Sequence, residues 1–517
     1  MYFQKIRRNH ETIRKISRII LYYLIVDIFQ HYNMTGNRMI RLFAVLLSLL
    51  TLSGTQSDAQ DYSARIDSFL TICHDQDMFN GAVLVAKGDS LLFAKCFGYA
   101  DRENKTAIDQ LTRFRIGSLT KQFTTVMVFQ LVEEGMLALD DPISKYLPEY
   151  RRDIGDGVTV DLLLRHMSGI PSYTTEHFWN TAGMEHHTPT GLMKKYFTGN
   201  LIFKPGSTYR YSNTNTYLLG IIIERVTGLS YEENLKRRLL KPLGMLNTGM
   251  IKQEQSPSEA KNYMRRMGRY FPEPYVDPSA LYATGGAYST AADLRLWMKA
   301  FDRPIVLSDT MIAKIMKPYY RINRYYGMAY GWNVHTIRPR NADSLVWLAE
   351  YNGQIHGAYA AVTRMIEEDY LIILLSNHDK TPVTTEEIVG ILKGIPFEIP
   401  RWPLKDPLGH ILVNEGIDSV KTVYHNLQKK HEHFDRRSEI ILNDLGYDLL
   451  RSDMIKDALA IFEFNLDEHP KSPNAYDSYA EALLVTGDTT RAIQNYRKSL
   501  SMNSQNDNAR TMLDLLE

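Results

Sequence analysis

The sequence has only two cysteines in 517 residues, Cys73 and Cys96. Such a small number excludes a disulfide framework and any metal site built mainly from cysteine. The two side chains can form one disulfide or remain as free thiols, and free cysteines are among the residues most often buried. The sequence leaves both alternatives open.

The chain also lacks an excess of charge, because 60 Lys and Arg stand against 59 Asp and Glu for a formal net charge of +1. Nothing in this balance favours nucleic acid or an anionic membrane as a partner. Hydrophobic residues make up 44% and charged residues 23%, as in soluble globular proteins. The length is too great for one core and predicts two or three domains.

Long apolar runs are missing as well. The run from Leu42 to Leu52 has eleven residues, which is too short to span a bilayer comfortably. It follows the basic start at 39–41 and precedes small residues at 57–60, which is the pattern of a secretory signal peptide over about 39–59. We therefore expect an exported protein, either periplasmic or extracellular, and no lipoprotein anchor.

Residues 1–38 precede this signal and contain the apolar patch Ile19–Val26. We interpret them as a start-site artefact, with translation beginning at Met39 or Met34. The alternative is a genuine N-terminal extension, part of a 1–60 leader, that anchors the protein to a membrane. A membrane contact is expected only in that second case.

Residues 61–400 have the pattern of an α/β or α+β enzyme domain. Helical spacing at 62–73 is followed by two strand-like runs around the turn at 88–89, helices dominate from 119 to about 250, and strand patterns return late. Strands at both ends of the domain predict one antiparallel sheet flanked by helices. The predicted strands are Gly81–Lys87, Ser90–Tyr99, Tyr330–Ile337, Ser344–Ala349, Ala358–Met365 and Tyr370–Ser376.

Ser118 and Lys121 open a segment with helical spacing of apolar residues. Residues three apart lie on one face of a helix, so both side chains point the same way. A serine hydroxyl is a poor nucleophile until a base accepts its proton, and a partly dehydrated lysine can be that base. Taken alone, however, the tetrapeptide favours a capping serine beside a solvated lysine.

Five further segments change this interpretation, and together with Ser118–Lys121 they resemble the serine beta-lactamase-like hydrolases. In that family Ser-x-x-Lys carries the nucleophile. The most similar branch includes class C beta-lactamases, D,D-peptidases, D-aminopeptidases and esterases, and the resemblance covers about 61–395. It implies a beta-lactamase/transpeptidase-like fold with a helical subdomain. The five segments are Leu164–Pro171, Tyr211–Asn213, Lys241–Met245, Gly285–Leu294 and Tyr351–Tyr359.

The resemblance implies a role for each matching residue. Ser118 would attack a carbonyl and carry the acyl group, while Lys121 accepts its proton or lowers the pKa of neighbouring groups. Tyr211 would pass a proton to the leaving group, as a phenolate or through Lys121. Asn213 would donate to a substrate carbonyl and accept from Lys121. The backbone N–H groups of Ser118 and Gln354 would form the oxyanion hole.

The third motif departs from the family at Tyr351, where a lysine or histidine normally helps to bind a substrate carboxylate. Tyr351 offers an O–H donor without charge, and so loses the stronger charge-assisted bond. We align the motif on Tyr351 and Gly353, because an alignment from His356 puts Ala358 where glycine is needed. Tyr351, Gly353 and Gln354 are then expected to bind substrate. This favours an uncharged ester or amide over a penicillin.

Other candidates have simpler interpretations. His166 lies in a segment that we take as structural, and Arg210 is either a substitute cation or a surface residue. Tyr173, Phe178 and Trp179 line the pocket or merely cover the core, and the tyrosine-rich stretch Tyr319–Tyr330 is similarly ambiguous. The histidines, including His186 and His187, lack metal-ligand spacing. We expect no metal and no cofactor.

After Pro400 the pattern is helical, with a linker and helix over 401–438. Residues 439–517 contain a 34-residue period that pairs Gly446 with Ala480 and Phe462 with Tyr496, similar to the tetratricopeptide repeat. The small residues let two helices cross closely, and Phe462 fills the groove beside them. This all-α domain is either a groove for a protein or peptide partner or a packing module, and we favour the second.

The leading hypothesis is an exported serine hydrolase that forms an acyl-enzyme at Ser118 on an ester or amide. Its substrate is a small molecule or peptide, such as a D-amino-acid peptide of the cell wall; an esterase and a beta-lactamase are alternatives. The alternative from another class is a catalytically silent, penicillin-binding-like scaffold that acts through its repeats. The presence of Ser118, Lys121, Tyr211 and Asn213 together argues against silence.

Overall fold

The computed structural model describes residues 61–339, 344–379, 381–430 and 435–517. The expected signal at 39–59 and the leader 1–60 lie outside these ranges. The chain divides into two compact units, one that runs to Tyr263 and resumes at Pro272–Ile399, and another made of Met264–Phe271 and Pro400–Glu517. None of the helices in the described ranges combines the length and apolar character needed to cross a bilayer.

The first unit has the mixed α/β architecture that the sequence predicts, with an antiparallel sheet of eight strands. Its order is β3-β4-β5-β6-β7-β8-β1-β2, so the first two strands of the domain complete a sheet built mainly from its end. The strands are β1 Gly81–Lys87, β2 Ser90–Phe97, β3 Tyr320–Asn323, β4 Tyr326–Ala329, β5 Trp332–Ile337, β6 Val346–Ile355, β7 Ala358–Met365 and β8 Tyr370–Ser376.

Three strands have the predicted bounds (β1, β7 and β8), while the predicted Ser344–Ala349 is too short. The observed β6 continues to Ile355, because its polar second half pairs with β7 in unbroken register from Leu348 to Ile355. The hairpin of β3 and β4 was not predicted as part of the sheet. It forms one edge, and its exposed residues lack the apolar alternation of a covered strand.

Both faces of the central strands are covered. Ala82, Leu84 and Ala86 of β1 belong to the main core, while Val83 and Val85 are equally buried on the opposite side. A strand buried on both faces is apolar throughout, which explains its continuous run of small and branched residues. The helices Ala291–Lys299 and Thr385–Leu392 pack against β8.

The remaining elements of the first unit are mostly short. Its helices are 61–75, Thr120–Glu133, Arg152–Gly155, Val160–Leu164, Glu176–Trp179, Pro189–Tyr196, Asn213–Thr227, Tyr231–Leu235, Lys241–Leu243, Pro278–Gly285, Ala291–Lys299, Asp309–Met316 and Thr385–Leu392. Helical turns of other pitch are Gly117–Leu119, Ile143–Lys145, Ala182–Met184 and Lys236–Leu240. Short strands are Tyr99–Asp101, Thr106–Ala107, Phe114–Arg115, Gly249–Met250 and Ala287–Ser289. A further hairpin, Tyr263–Arg266 with Arg269–Pro272, falls almost wholly in the segment Met264–Phe271 of the second unit.

Thr120–Glu133 is a central helix that is buried over its first ten residues. Polar side chains inside it are bonded rather than solvated, as burial requires. Gln122 donates to the carbonyl oxygen of Gly331 at 2.9 Å and accepts from the indole of Trp297 at 3.0 Å. These bonds fix the rotation of the helix, and therefore the direction of Lys121.

The two cysteines remain free thiols, with Cys73 buried and Cys96 half-buried. Of the two alternatives left open above, the disulfide is therefore wrong. Burial raises the pKa of Cys73 to about 12 and that of Cys96 to about 11. Both side chains are thus uncharged packing groups at neutral pH.

The second unit is all-helical, as expected, with its own apolar core. Residues 401–438 were expected to be a linker with one helix. Two helices lie wholly within the described part of this region, Lys405–Glu415 and Ile417–Lys430, and they contribute Leu408, Leu412, Val420 and Tyr424 to that core. A Cβ added to Gly446 would lie only 2.5 Å from Cζ of Phe462, so the ring occupies the space beside this glycine. The tetratricopeptide assignment stays a prediction. The helices are Lys405–Glu415, Ile417–Lys430, Asp435–Leu450, Ile455–Glu468, Pro473–Val485, Thr489–Met502 and Asp507–Leu516.

Candidate active site

Ser118 lies in the tight turn Gly117–Leu119 that leads into the central helix. Thr120 holds this turn, because its hydroxyl donates to the carbonyl oxygen of Gly117 at 2.7 Å and accepts from the N–H of Ala287 at 3.1 Å. Gly117 has φ +48°, a conformation that favours glycine. The serine hydroxyl is thereby presented at the start of a rigid helix.

Lys121 is 2% exposed and lies beneath the serine. Its Nζ is 3.0 Å from Ser118 Oγ and 2.6 Å from the carbonyl oxygen of Thr284. Burial disfavours the ammonium form and lowers the pKa of Lys121 to about 7. A substantial fraction of this lysine is therefore neutral near pH 7 and has a lone pair to accept a proton.

Tyr211 completes the group, with its hydroxyl oxygen 2.8 Å from Ser118 Oγ. Lys121 Nζ is 5.1 Å from the centre of its ring, and the ring of His166 packs against it at 4.7 Å. Burial raises the pKa of Tyr211 to about 12, although hydrogen bonds from Ser118 and Tyr351 partly oppose this shift. At neutral pH Tyr211 is thus a phenol, and Lys121 is the better base.

His166 is buried and neutral. Its Nδ1 accepts from the backbone N–H of Ser212 at 3.3 Å, and burial together with the charge of Lys121 lowers the pKa of His166 to about 3. The ring therefore supports Tyr211 by packing and stays uncharged near neutral pH.

The turn that carries Ser118 packs against β6 at Gly353. A Cβ on Gly353 would lie 1.9 Å from the carbonyl oxygen of Ile116 and 2.7 Å from the backbone nitrogen of Ser118, so only glycine fits. A two-residue turn follows Ile355, so Ile355 and Ala358 form a hydrogen-bonded pair. Hydrogen-bonded and non-hydrogen-bonded pairs alternate along an antiparallel ladder, and the N–H of Gln354 in the next pair therefore points away from β7. This arrangement places two backbone donors, the N–H groups of Ser118 and Gln354, beside the hydroxyl of Ser118.

One predicted contact, between Asn213 and Lys121, is not formed, whereas Tyr351 lies in the wall of the site as expected. Asn213 does not contact Lys121; its side-chain amide donates to Thr174 at 2.8 Å, and its backbone N–H donates to Ser172 at 3.2 Å. Tyr351 is largely buried, neighbours Tyr211 and lines the cavity in front of Ser118. Burial raises the pKa of Tyr351 well above its ordinary value.

A cavity of about 560 Å³ opens in front of Ser118. Among the described residues that line it none is charged, and Arg210 is an exposed residue that is not in its wall. Tyr173 and Phe178 are buried in the core and do not line it either. Within the described part of the chain no group of three or more acidic, histidine or cysteine side chains could hold a metal ion.

One part of this site left no signal in the sequence, and another was predicted only as one of two alternatives. One is Thr284, whose backbone oxygen accepts from Lys121 and which carries no side-chain signal for that role. The other is the β3–β4 hairpin, which lines the cavity with Ile322, Asn323, Tyr326 and Met328. Its tyrosine-rich composition was the available signal.

Comparisons with known proteins agree with this geometry. The beta-lactamase family model matches residues 61–392. The chain belongs to the beta-lactamase family. As a member of that family, this chain is a serine hydrolase, and the resemblance stated from its motifs is confirmed.

Several relatives are penicillin-binding proteins. One from Bacillus subtilis strain 168 is 28% identical over 367 residues, which are 66% of this chain and 79% of the relative. The crystal structure of a penicillin-binding protein from Bacillus halodurans has 25% identity and a TM-score of 0.56, over 63% of this chain and 98% of that one. An octameric penicillin-binding protein homologue from Pyrococcus abyssi has 28% identity and a TM-score of 0.57, over 67% and 80%.

Proposed function

We propose that this family member forms an acyl-enzyme at Ser118 and hydrolyses an uncharged ester or amide. The observation that carries the proposal is the position of Ser118 Oγ, 3.0 Å from a buried lysine with a pKa of about 7 and 2.8 Å from Tyr211. A nucleophile within hydrogen-bond reach of a base is the arrangement that covalent catalysis needs.

In the acylation step, neutral Lys121 accepts the proton of Ser118 while Oγ bonds to the carbonyl carbon. The developing oxyanion faces the N–H groups of Ser118 and Gln354, donors that are commonly worth about 10²–10³ in rate. Tyr211 gives its proton to the leaving oxygen or nitrogen as that bond breaks, and the proton held by Lys121 restores the phenol. Water then attacks the acyl carbon, the bond between that carbon and Oγ breaks to release the acid, and a proton of the water returns to Ser118 Oγ.

The preference for a neutral substrate rests on the cavity wall. It has no charged side chain among the described residues, and Tyr351 occupies the position where relatives with a cation bind a carboxylate. A charge-assisted bond is roughly twice as strong as a neutral one, so a carboxylate gains less here. We rank neutral esters and amides first, D-alanyl peptides of the cell wall second and penicillins third.

Two active-site probes test the enzyme. We expect a fluorophosphonate to label the wild type and a fluorescent penicillin to label it weakly, and Ser118→Ala to lose both labels. Absence of any Ser118-dependent label would overturn the proposal and favour the silent scaffold. Turnover of nitrophenyl esters, D-alanyl peptides and nitrocefin then ranks the substrates, and faster hydrolysis of nitrocefin than of the esters would reverse the ranking.

We also propose export through the segment 39–59, with the basic start, apolar run and small residues as support. N-terminal sequencing of the secreted protein should give a mature start close to residue 60. A mature start within 1–38 would instead support the membrane-anchored extension.

A further inference from the structure

The β3–β4 hairpin forms one wall of the cavity in front of Ser118. Ile322 of β3 is 59% exposed, yet it lines the cavity together with Tyr326 and Met328 of β4. Exposed positions on an edge strand usually carry charge, which discourages pairing with another chain. Apolar groups clustered around a cavity are instead typical of ligand sites.

The rings of this wall are held in place by their neighbours. Tyr209, which also lines the cavity, stacks on Tyr320 with ring centres 5.8 Å apart and planes 27° apart. Tyr326 packs on the ring of His335 at 5.0 Å. The apolar surface therefore exists before a substrate arrives, which lowers the cost of binding.

The cations of the hairpin are turned away from the cavity. Arg321 precedes Ile322 in the strand and is exposed, and Arg324 lies over the ring of Tyr325, 4.3 Å from its centre. Neither lines the cavity. The neutral amides Asn323, Asn333 and Gln354 supply its polar lining instead.

The position of the wall relative to Tyr211 indicates which end of a substrate it meets. Tyr351 lines the cavity beside Tyr211 and lies just past the point where β5 stops pairing with β6, and β4 is the next strand beyond β5. Tyr209 also neighbours Tyr351. The hairpin therefore shares one cavity wall with Tyr211, the group proposed to protonate the leaving group.

We propose that the hairpin Tyr320–Ala329 is an apolar subsite for the leaving group, with Ile322 and Tyr326 in contact with an aliphatic or aromatic alcohol or amine. This inference rests on the proposed acyl-enzyme mechanism. The substrate class it names is a neutral ester or amide with an apolar leaving group. The reaction remains the hydrolysis described above, in which the leaving group departs with the proton of Tyr211.

The experiment uses acetate esters with methyl, butyl, octyl and benzyl alcohols, followed by acid release at constant pH. The acyl-enzyme is the same for all of them, so differences in kcat/KM report the leaving-group side of the acylation step. We expect kcat/KM to rise along the series. Ile322→Ser should lower it about tenfold for the octyl ester, because the octyl chain then buries less apolar surface, and less than twofold for the methyl ester.

Ile305→Ser is the matched control, because Ile305 is 50% exposed in the same unit and does not line the cavity. An equal loss for methyl and octyl esters in Ile322→Ser, or a chain-length preference that follows the acyl group instead, would overturn the subsite. Labelling of Ser118 by a fluorophosphonate separates the two proposals. If the enzyme is labelled but shows no chain-length preference, only the subsite proposal is overturned. If it is not labelled, the mechanism and the subsite are both overturned.

Discussion

The Nζ of Lys121 lies 2.6 Å from the carbonyl oxygen of Thr284. A neutral amine can donate one hydrogen to this oxygen and still direct its lone pair at Ser118 Oγ, 3.0 Å away. The backbone of Thr284 therefore orients the lysine as an acceptor. This contact gives the site a base that works without a charged partner.

The pH profile of the reaction should follow Lys121. Burial lowers the pKa of Lys121 from its ordinary 10.5 to about 7. The ammonium form that dominates below pH 7 cannot accept a proton, so kcat/KM should fall about tenfold per pH unit below 7 and level off above it. A profile that is flat between pH 5.5 and 8.5 would contradict this assignment.

Variants distinguish Lys121 from other groups in that profile. Burial also raises the pKa of Glu273 to about 7, so Glu273→Gln is the control and should leave the midpoint in place. His166 titrates far lower, at a pKa of about 3. Lys121→Arg should lose at least 10³ in rate, since a guanidinium stays charged, while Lys317→Arg at an exposed position should keep full activity.

Tyr351 neighbours Tyr211, and we expect it to position Tyr211 through a hydrogen bond between the two hydroxyls. Loss of one neutral hydrogen bond costs about 0.5–1.5 kcal/mol, so Tyr351→Phe should lower kcat/KM by up to about tenfold. Tyr211→Phe removes the proton donor itself and should cost about 10²–10⁴. Single-turnover measurements of acylation compare the two variants, and an equal loss in both would mean that Tyr351 takes part directly.

A cation at position 351 should change substrate preference. Tyr351→Lys adds a positive charge at the edge of a cavity wall that has none among the described residues. A carboxylate in the substrate would then gain a charge-assisted bond. We expect the ratio of kcat/KM for a D-alanyl peptide to that for its C-terminal amide to rise at least fivefold, measured against the wild type and Tyr351→Phe. An unchanged ratio would place the carboxylate elsewhere.

Gly353→Ala tests the packing of the nucleophile turn. The added Cβ would meet the carbonyl oxygen of Ile116 at 1.9 Å and must displace the turn that carries Ser118. We expect a loss of about 10²–10³ in kcat, the scale of a missing oxyanion donor. Gly390→Ala is the control, because a Cβ there has open space within 4 Å. Full activity of Gly353→Ala would exclude this strand from the oxyanion hole.

The sequence predicted those parts of the site that depend on local spacing. Ser118 and Lys121 share a helix face, and this follows from residue separation alone. The predicted contact between Asn213 and Lys121 is not formed, because it depends on side-chain direction and Asn213 bonds to Thr174 and Ser172 instead. Backbone acceptors such as Thr284 leave no trace in side-chain patterns.

The same reasoning explains the successes and failures in the fold. Buried strands such as β8 are continuous apolar runs between turns, and their bounds could be read directly. The end of β6 could not, because backbone pairing carries it through Asn352–Gln354, where apolar alternation is absent. The exposed β3 strand was not predicted for a related reason, because an edge strand need not alternate apolar and polar residues.

In the helical unit, the 34-residue period predicts a close approach of two helices at Gly446. A Cβ at this position would meet three atoms of the Phe462 ring at 2.5–2.8 Å. The ring of Phe462 is fully buried, so Gly446→Ala should destabilise the unit by about 1–3 kcal/mol, the usual cost of overpacking.

Hydrogen exchange of the helices Asp435–Leu450 and Ile455–Glu468 measures this change, because local opening follows the stability of the unit. Gly446→Ala combined with Phe462→Leu should recover part of the protection, since the smaller side chain makes room for the methyl group. Exchange as slow in Gly446→Ala as in the wild type would show that the two helices can move apart to accommodate the methyl group without a loss of stability. The small residues of the 34-residue period would then not be required for the two helices to cross closely.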